Sequence, residues 1–258
     1  MTLVLGLECA DGLLLASDGQ ATIGTSGGQP LKAPIEKLFL PWNNIAWGGS
    51  GAVSVIQCVD HALRAKFPSP TDFEAAEIHA VREQLSTAVA EAVRALLLNR
   101  YIESPGSQPW TSFLFVGHVP QGSFILEIGQ NLLHEDHIAR GYSAIGSGDI
   151  FPYFALAGLA HFNVRQHNLN GAKLIAHRVV DDAIRVAAFG LGYPIQMVEI
   201  RKPSQEDQFA TAQKLSPDDV RILGDKVTEW KGIESETLAQ IVGLATQELE
   251  GPEQATLV

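Results

Sequence analysis

Cysteine and methionine are scarce in this chain of 258 residues, which contains two of each. Cys9 and Cys58 are too few for a disulfide framework, and their spacing fits no zinc site. No apolar stretch reaches the roughly 20 residues that a bilayer crossing requires, and no basic segment precedes an apolar one near Met1. These absences argue against a disulfide-rich secreted protein or a membrane-spanning one, and we expect a cytoplasmic location.

Basic side chains are also few. The chain has 18 lysines and arginines against 29 aspartates and glutamates, for a formal net charge of −11. Such a charge argues against a general nucleic-acid binder and against attraction to anionic membranes. The hydrophobic fraction of 46% and the charged fraction of 18% are typical of a globular chain. The length suffices for one α/β or layered α+β domain with a sizeable core.

Alternating apolar residues and turn signals predict three strand pairs and a closing strand. The first pair is joined by Asp11-Gly12, a dipeptide typical of tight hairpins. The predicted strands are Leu3–Leu7 with Leu13–Ser17, Lys37–Leu40 with Ile45–Trp47, Phe113–Val119 with Ser123–Ile128, and Gln196–Ile200.

Helical periodicity predicts four helices within residues 1–202. They run from about Gly51 to before Pro68, from Thr71 to about Leu98, from about Phe151 to Phe162, and from about Gly171 to Ala188. The second begins with a capping-box pattern, Thr71-Asp72-Phe73-Glu74. Residues 203–258 are predicted to be a polar linker, 204–214, followed by a helical extension with one helix from Ser216 and another over Glu236–Leu249.

Thr2 is the first candidate for chemistry. It follows Met1, and methionine is generally removed when the next residue is small, so we expect Thr2 to acquire a free α-amine. An N-terminal amine can serve as the base that activates a threonine hydroxyl. On its own, however, Thr2 is better explained as an ordinary residue at the end of a strand.

Three other motifs have simpler interpretations. Gly48-Gly49-Ser50-Gly51 lacks the Lys-Ser/Thr of a phosphate-binding P-loop, so nucleotide binding is not expected. Gly146-Ser147-Gly148 is typical of a tight strand-to-helix turn. His134 and His137 fall on a predicted strand or loop rather than on one helical face, so we expect surface polar residues and no metal site.

Five segments, in order, resemble the proteasome β-subunit family. They are the opening Thr2–Asp18 stretch, Ala16–Thr22, Glu36–Phe39, Gly48–Gly51 and Ala144–Gly148. Asp18-Gly19-Gln20 is closer to the bacterial peptidase that works with the HslU unfoldase. The resemblance extends from about Thr2 to Ile200. It implies an α+β fold, the four-layer αββα sandwich of N-terminal nucleophile hydrolases, here with extra C-terminal helices.

The resemblance also implies roles for individual residues. A lysine ammonium lowers the pKa of a neighbouring hydroxyl, an aspartate fixes that lysine, and a glycine N–H stabilises the oxyanion. A bulky indole at the first specificity pocket would favour small substrate side chains. The positions that match are Thr2 as nucleophile, Asp18 and Lys37 beside it, Gly48 or Gly49 as the oxyanion donor, Ser147 near the terminal amine, and Ala21 and Trp47 at the substrate pocket.

One departure from the family affects the site. Ala188 stands where the family has an aspartate that is hydrogen-bonded near the terminal amine, and Leu191 replaces a nearby serine. Asp181 and Asp182 precede that position by about two helical turns, too early for a simple substitution.

The resemblance therefore implies a threonine endopeptidase in a self-compartmentalised ring of identical subunits, with no cofactor and no metal. Its substrate would be peptide or unfolded protein, and an ATPase unfoldase is a possible partner. Two alternatives remain open. One is a non-catalytic assembly protein that keeps the fold, which the Ala188 departure favours, and the other is an amidohydrolase of a small amide.

Overall fold

Two five-stranded antiparallel sheets form the framework of the computed structural model, which describes residues 2–23, 31–100, 111–187, 190–205 and 207–249. The first sheet contains β1 (Val4–Cys9), β2 (Gly12–Ser17), β10 (Tyr142–Ile145), β11 (Gln196–Arg201) and β12 (Thr211–Lys214), in the order β10-β1-β2-β11-β12. The second contains β5 (Leu38–Phe39), β6 (Ile45–Gly51), β7 (Thr111–Val119), β8 (Gly122–Ile128) and β9 (His134–Asp136), in sequence order. A small ribbon pairs β3 (Gln20–Ile23) with β4 (Leu31–Pro34).

The register of β1 determines where Thr2 lies. The Asp11-Gly12 turn places Cys9 opposite Gly12, so the predicted first hairpin is confirmed. At the other end of β1, Val4 lies opposite Ser17 of β2 and Ile145 of β10. The chain just before Val4 therefore runs between the segments that follow β2 and β10.

Helices cover the outer faces of both sheets. Helices α1 (Val53–Lys66) and α2 (Ile78–Arg100) pack on the second sheet in one apolar cluster. Helices α3 (Ile150–Gly158), α4 (Leu169–Val186) and α5 (Pro217–Leu249) pack on the first sheet in another. A further cluster joins the two sheets, with Val4 and Leu15 from one facing Leu114 and Val116 from the other. Among the described residues, no helix is both long and apolar enough to cross a bilayer.

Helix α2 begins later than the capping-box pattern predicts. The expected start at Thr71 is wrong because the Asn43-Asn44 turn holds that segment in another conformation. Asn44 Nδ2 donates to the Phe73 carbonyl at 3.1 Å, and Asn43 Nδ2 donates to Glu74 Oε1 at 2.7 Å. The Glu74 carboxylate, which was expected to cap the helix, is thus bound to Asn43 instead. The first turn of α2 is capped instead by Gln121, whose Oε1 accepts from Ile78 N–H at 3.1 Å.

The C-terminal segment is more ordered than its polar sequence predicts. Residues 211–214 of the expected linker form β12, which pairs with the edge of β11. The two helices expected after Ser216 are one helix of 33 residues, α5. Its predicted serine cap is present, since Ser216 Oγ accepts from Asp219 N–H at 3.1 Å. Trp230 of α5 packs against α4, with the Arg178 guanidinium 4.3 Å from the ring centroid.

Candidate active site

Hydrogen bonds on both sides hold the backbone at Thr2 in place. On one side, Leu3 N–H donates to Asp18 Oδ1 at 2.9 Å, and Asp18 N–H donates to the Leu3 carbonyl at 3.3 Å. On the other, Gly148 N–H donates to the Thr2 carbonyl at 3.2 Å, and Thr2 N–H donates to Ser147 Oγ at 3.3 Å. The Thr2 nitrogen is a peptide nitrogen while Met1 is attached. Removal of Met1 would turn the same atom into an α-amine facing Ser147.

Gly146 makes the close approach to Thr2 possible. Its φ is +109°, in the region that favours glycine, and a Cβ at this position would stand 2.1 Å from the Thr2 carbonyl oxygen. A side chain here would displace the residue that carries the candidate nucleophile. The sequence motif Gly146-Ser147-Gly148 is therefore a tight turn, and it also borders the site.

Asp18 and Lys37 form a buried ion pair. Asp18 is fully buried and Lys37 is 6% exposed, with Lys37 Nζ 2.7 Å from Asp18 Oδ1. The second carboxylate oxygen accepts from the N–H groups of Gln20 and Gly192 at 3.3 and 3.2 Å. Burial lowers the pKa of Lys37, and the attraction of Asp18 offsets this effect in part. The pair thus places a partly desolvated ammonium beside Thr2.

Gln196 of β11 positions Lys37 from the opposite sheet. Its Oε1 accepts from Lys37 N–H at 3.0 Å, and its Nε2 donates to the Ile35 carbonyl at 2.6 Å. The two contacts fix the backbone that leads into Lys37. Sequence reasoning missed Gln196, since nothing in its local pattern points to a partner 159 residues away.

An apolar cavity of about 300 Å³ lies on one side of Thr2. Its lining combines reactive and backbone groups with an apolar wall: Thr2, Lys37, Gly49 and Gly51 with Ala21, Ile35, Phe39, Val53 and Ile56, and with Glu36 and Gln57. Trp47 is not in this wall, although the sequence suggested that its indole would border the pocket. It is fully buried behind the wall, where it stacks on Phe39 with ring centroids 4.2 Å apart.

A larger polar cavity of about 860 Å³ lies on the other side of Thr2. Its lining is rich in hydroxyl, amide and carboxyl groups: Thr2, Ser50, Thr111, Ser112, Gln130, Asn131, Ser147, Glu127, Glu135 and Asp149, with Gly51, Gly129, Ile145 and Gly146. Thr2 and Gly51 border both cavities, so Thr2 stands at their junction.

The two candidate oxyanion glycines face different ways. A Cβ on Gly48 would meet Val4 Cγ1 at 2.7 Å, so Gly48 packs toward the first sheet. Gly49 lines the apolar cavity together with Thr2. The β5–β6 ladder ends at Gly48, which makes Gly49 the first residue of β6 beyond it. The alternation of the strand thus brings Gly49 to the cavity.

Asp181 serves another part of the molecule. It accepts hydrogen bonds from Lys231 and Arg185, both at 2.9 Å, and from the Tyr193 hydroxyl. Lys231 belongs to α5, so this carboxylate helps to attach that helix to α4. Asp181 borders neither cavity at Thr2. Residue Ala188 lies outside the described residues.

The histidines and cysteines form no metal site in the described part of the chain, where no group of three His, Cys, Asp or Glu side chains could hold an ion. His137 Nε2 lies 3.1 Å from Glu127 Oε2, which is a hydrogen bond within the protein. Both cysteines are free thiols.

Comparison with known proteins identifies the fold. No protein-family model and no curated protein matches this sequence. Among solved structures, the chain is similar to a (Gly-1) mutant of Anbu from Hyphomicrobium sp. strain MC1, with a TM-score of 0.67 and 17% sequence identity. The match covers 93% of this chain and 99% of that one. At this level of identity the match shows that the chain shares the fold of that Anbu structure.

Proposed function

We propose that this protein is a threonine endopeptidase in which Thr2, freed by removal of Met1, is the nucleophile. The observation that carries the proposal is the convergence at Thr2: Lys37, which is held by the buried Asp18, and Gly49 line the same apolar cavity as Thr2. If Thr2 were only an ordinary residue at the end of a strand, the desolvated Lys37 would not be needed beside it. The order of the apolar clusters, helices on each outer face and two sheets between, supports the four-layer αββα arrangement.

Each residue has a defined task in the proposed reaction. The Thr2 amine takes the proton of the Thr2 hydroxyl, whose oxygen attacks the substrate carbonyl. Lys37 favours the alkoxide by its positive charge, and Asp18 keeps that lysine in place. Gly49 N–H, rather than Gly48 N–H, donates to the oxyanion. The proton then passes from the amine to the leaving nitrogen, and water later hydrolyses the threonine ester.

Ser147 has a positioning role in this scheme. Its hydroxyl accepts from the Thr2 nitrogen at 3.3 Å and would orient the amine toward the hydroxyl. The aspartate missing at position 188 would otherwise share this task. Asp181 does not replace it, because its oxygens are bound by Lys231, Arg185 and Tyr193.

A non-catalytic protein with the same fold is the second candidate, and the Ala188 substitution favours it. Under this alternative, Thr2 and Lys37 would be structural residues. Assembly into a ring of identical subunits and a cytoplasmic location are proposed for both candidates, the ring because the sequence resembles the proteasome β-subunit family.

The decisive experiment combines intact mass with active-site labelling. Mass spectrometry of native material should show loss of Met1, and a peptide epoxyketone should label Thr2, because this reagent needs both the hydroxyl and the amine. Thr2→Ser should keep labelling and Thr2→Ala should abolish it. Lys37→Ala should reduce labelling while circular dichroism stays unchanged. Retention of Met1, or a wild-type protein that resists the reagent, would leave the non-catalytic candidate.

A further inference from the structure

The polar cavity beside Thr2 has an acidic lining. Three carboxylates, those of Glu127, Glu135 and Asp149, face a space of about 860 Å³, and none of the described residues that line it is lysine, arginine or histidine. One oxygen of the Glu127 carboxylate already has partners within the protein, since Oε2 accepts from Ser143 Oγ at 2.8 Å and contacts His137. Glu135 is 76% exposed, and His137 Nε2 lies 3.9 Å away from it. Asp149 makes no capping hydrogen bond to α3 through its side chain.

Ser50 adds a hydroxyl to the lining of the polar cavity. It is 9% exposed and lines the cavity, yet its hydroxyl has no hydrogen-bond partner within the described ranges. Its Oγ lies 2.9 Å from the point where a Cβ on Gly146 would stand, and the Thr2 carbonyl oxygen lies 2.1 Å from that same point. This hydroxyl stands beside Thr2 and is open to the cavity, where it can bind a substrate group.

The direction of the reaction assigns each cavity to one side of the scissile bond. Gly49, the proposed oxyanion donor, lines the apolar cavity, so the carbonyl side of the substrate lies there. The leaving nitrogen must receive a proton from the Thr2 amine, which faces Ser147. Ser147 lines the polar cavity and not the apolar one. The polar cavity therefore receives the leaving side.

We infer, on the basis of the proposed peptidase function, that the polar cavity binds the residue that follows the scissile bond and selects lysine or arginine there. Ser50 binds the backbone of this leaving segment, and Asp149 and Glu135, assisted by Glu127, face its cationic side chain. Burial raises the pKa of the Asp149 carboxyl, a cost that a bound ammonium or guanidinium would relieve. The apolar cavity takes an uncharged side chain on the other side of the bond.

Internally quenched peptides test this selectivity. They share an apolar residue before the scissile bond and carry lysine, norleucine or glutamate after it. We expect kcat/KM to fall in that order, with lysine about five-fold above norleucine, the factor at the upper end for a partly exposed ion pair. The ratio should shrink in 0.5 M salt, since exposed charges are screened.

Variants locate the preference in the cavity. Asp149→Asn combined with Glu135→Gln should bring the lysine-to-norleucine ratio close to one. Asp218→Asn makes the same kind of change at a side chain that is 86% exposed and lines neither cavity, so it should leave the ratio as it is. Ser50→Ala should lower kcat/KM more for the peptides than for a peptidyl aminomethylcoumarin, which has no residue after the scissile bond.

The coumarin substrate separates two kinds of failure. If it is cleaved in a Thr2-dependent manner but the peptides show no preference for lysine, the inference about the cavity is wrong and the peptidase proposal stands. If neither substrate is cleaved and Thr2 resists the epoxyketone, the peptidase proposal fails and the inference fails with it.

Discussion

Replacement of Lys37 by methionine should cost the fold more than an ordinary surface substitution. The change keeps the length of the side chain and removes its charge, which leaves Asp18 without its ion-pair partner. Asp18 is fully buried, and Lys37 Nζ is 2.7 Å from its carboxylate. Removal of one partner of a buried ion pair typically costs about 3–5 kcal/mol, because the remaining charge is uncompensated.

Other hydrogen bonds of Asp18 bring the expected cost of Lys37→Met to the lower end of this range. Asp18 still accepts from the N–H groups of Leu3, Gln20 and Gly192 in the variant, at 2.9, 3.3 and 3.2 Å. Three donors partly replace the solvation that the ammonium provided, so we expect Lys37→Met to lower the free energy of unfolding by about 3 kcal/mol. A second substitution, Asp18→Asn, removes the uncompensated charge. The double variant should therefore be less destabilised than the sum of the two single variants, by about 2 kcal/mol.

Urea unfolding followed by tryptophan fluorescence measures these differences, because Trp42 and Trp47 are buried. Lys214→Met is the matched control: Lys214 is 43% exposed and pairs with Glu36, so its loss should cost less than about 1 kcal/mol. A cost for Lys37→Met no larger than that of the control would refute the argument from burial. Simple additivity of the two single variants would refute the coupling.

Three further predictions concern single sites. Gly146→Ala should abolish epoxyketone labelling, because its Cβ would stand 2.1 Å from the Thr2 carbonyl oxygen. Gly122→Ala is the control, since Gly122 also has a positive φ but a Cβ there would meet nothing within 4 Å, and it should keep labelling. Equal loss of labelling in both variants would point to backbone strain instead. Burial lowers the pKa of His177, so the unfolded chain gains a proton first and wild-type stability should fall as the pH drops below 6.5 toward the folded-state value. Urea titrations of His177→Asn, with His79→Asn at an exposed position as control, should show that this fall is smaller without His177. Burial raises the pKa of the Cys9 thiol to about 12, so iodoacetamide at pH 8 should modify the half-buried Cys58 and spare Cys9 in peptide maps; equal modification of both would contradict this.

Sequence patterns predicted the strands and helices whose conformation is set by residues close to them in the chain. The Asp11-Gly12 turn and the alternation around it suffice for the first hairpin, and helix α4 starts and ends two residues before the predicted bounds. Strands β10 and β12 were missed because they have four residues each and owe their conformation to the strands beside them.

The site shows the same division. The resemblance pointed to Asp18, Lys37 and Ser147. In the structure Ser147 bonds the Thr2 nitrogen, Lys37 lines the same cavity as Thr2, and Asp18 bonds the neighbouring Leu3 N–H. The resemblance could not decide whether Gly48 or Gly49 is the oxyanion donor, because that choice depends on which face of β6 meets the cavity. The size of an aromatic side chain does not tell whether it borders the pocket. Phe39 lines the apolar cavity, whereas the larger Trp47 lies behind it and stacks on Phe39, with ring centroids 4.2 Å apart.

The position of Thr2 is ultimately a consequence of apolar packing. Leu3, Leu5 and Leu7 belong to the cluster under α3, α4 and α5, whereas Val4 faces the second sheet. A slip of one residue in β1 would exchange these faces and place leucines where a Cβ on Gly6 would already be 2.9 Å from Val116. The register is therefore fixed by the core, and it fixes in turn which residues follow β2 and β10 beside Thr2. The chemistry proposed for Thr2 depends on the leucines of β1 as directly as on Lys37, since they determine that the Thr2 nitrogen meets Ser147 and that its neighbour Leu3 meets Asp18.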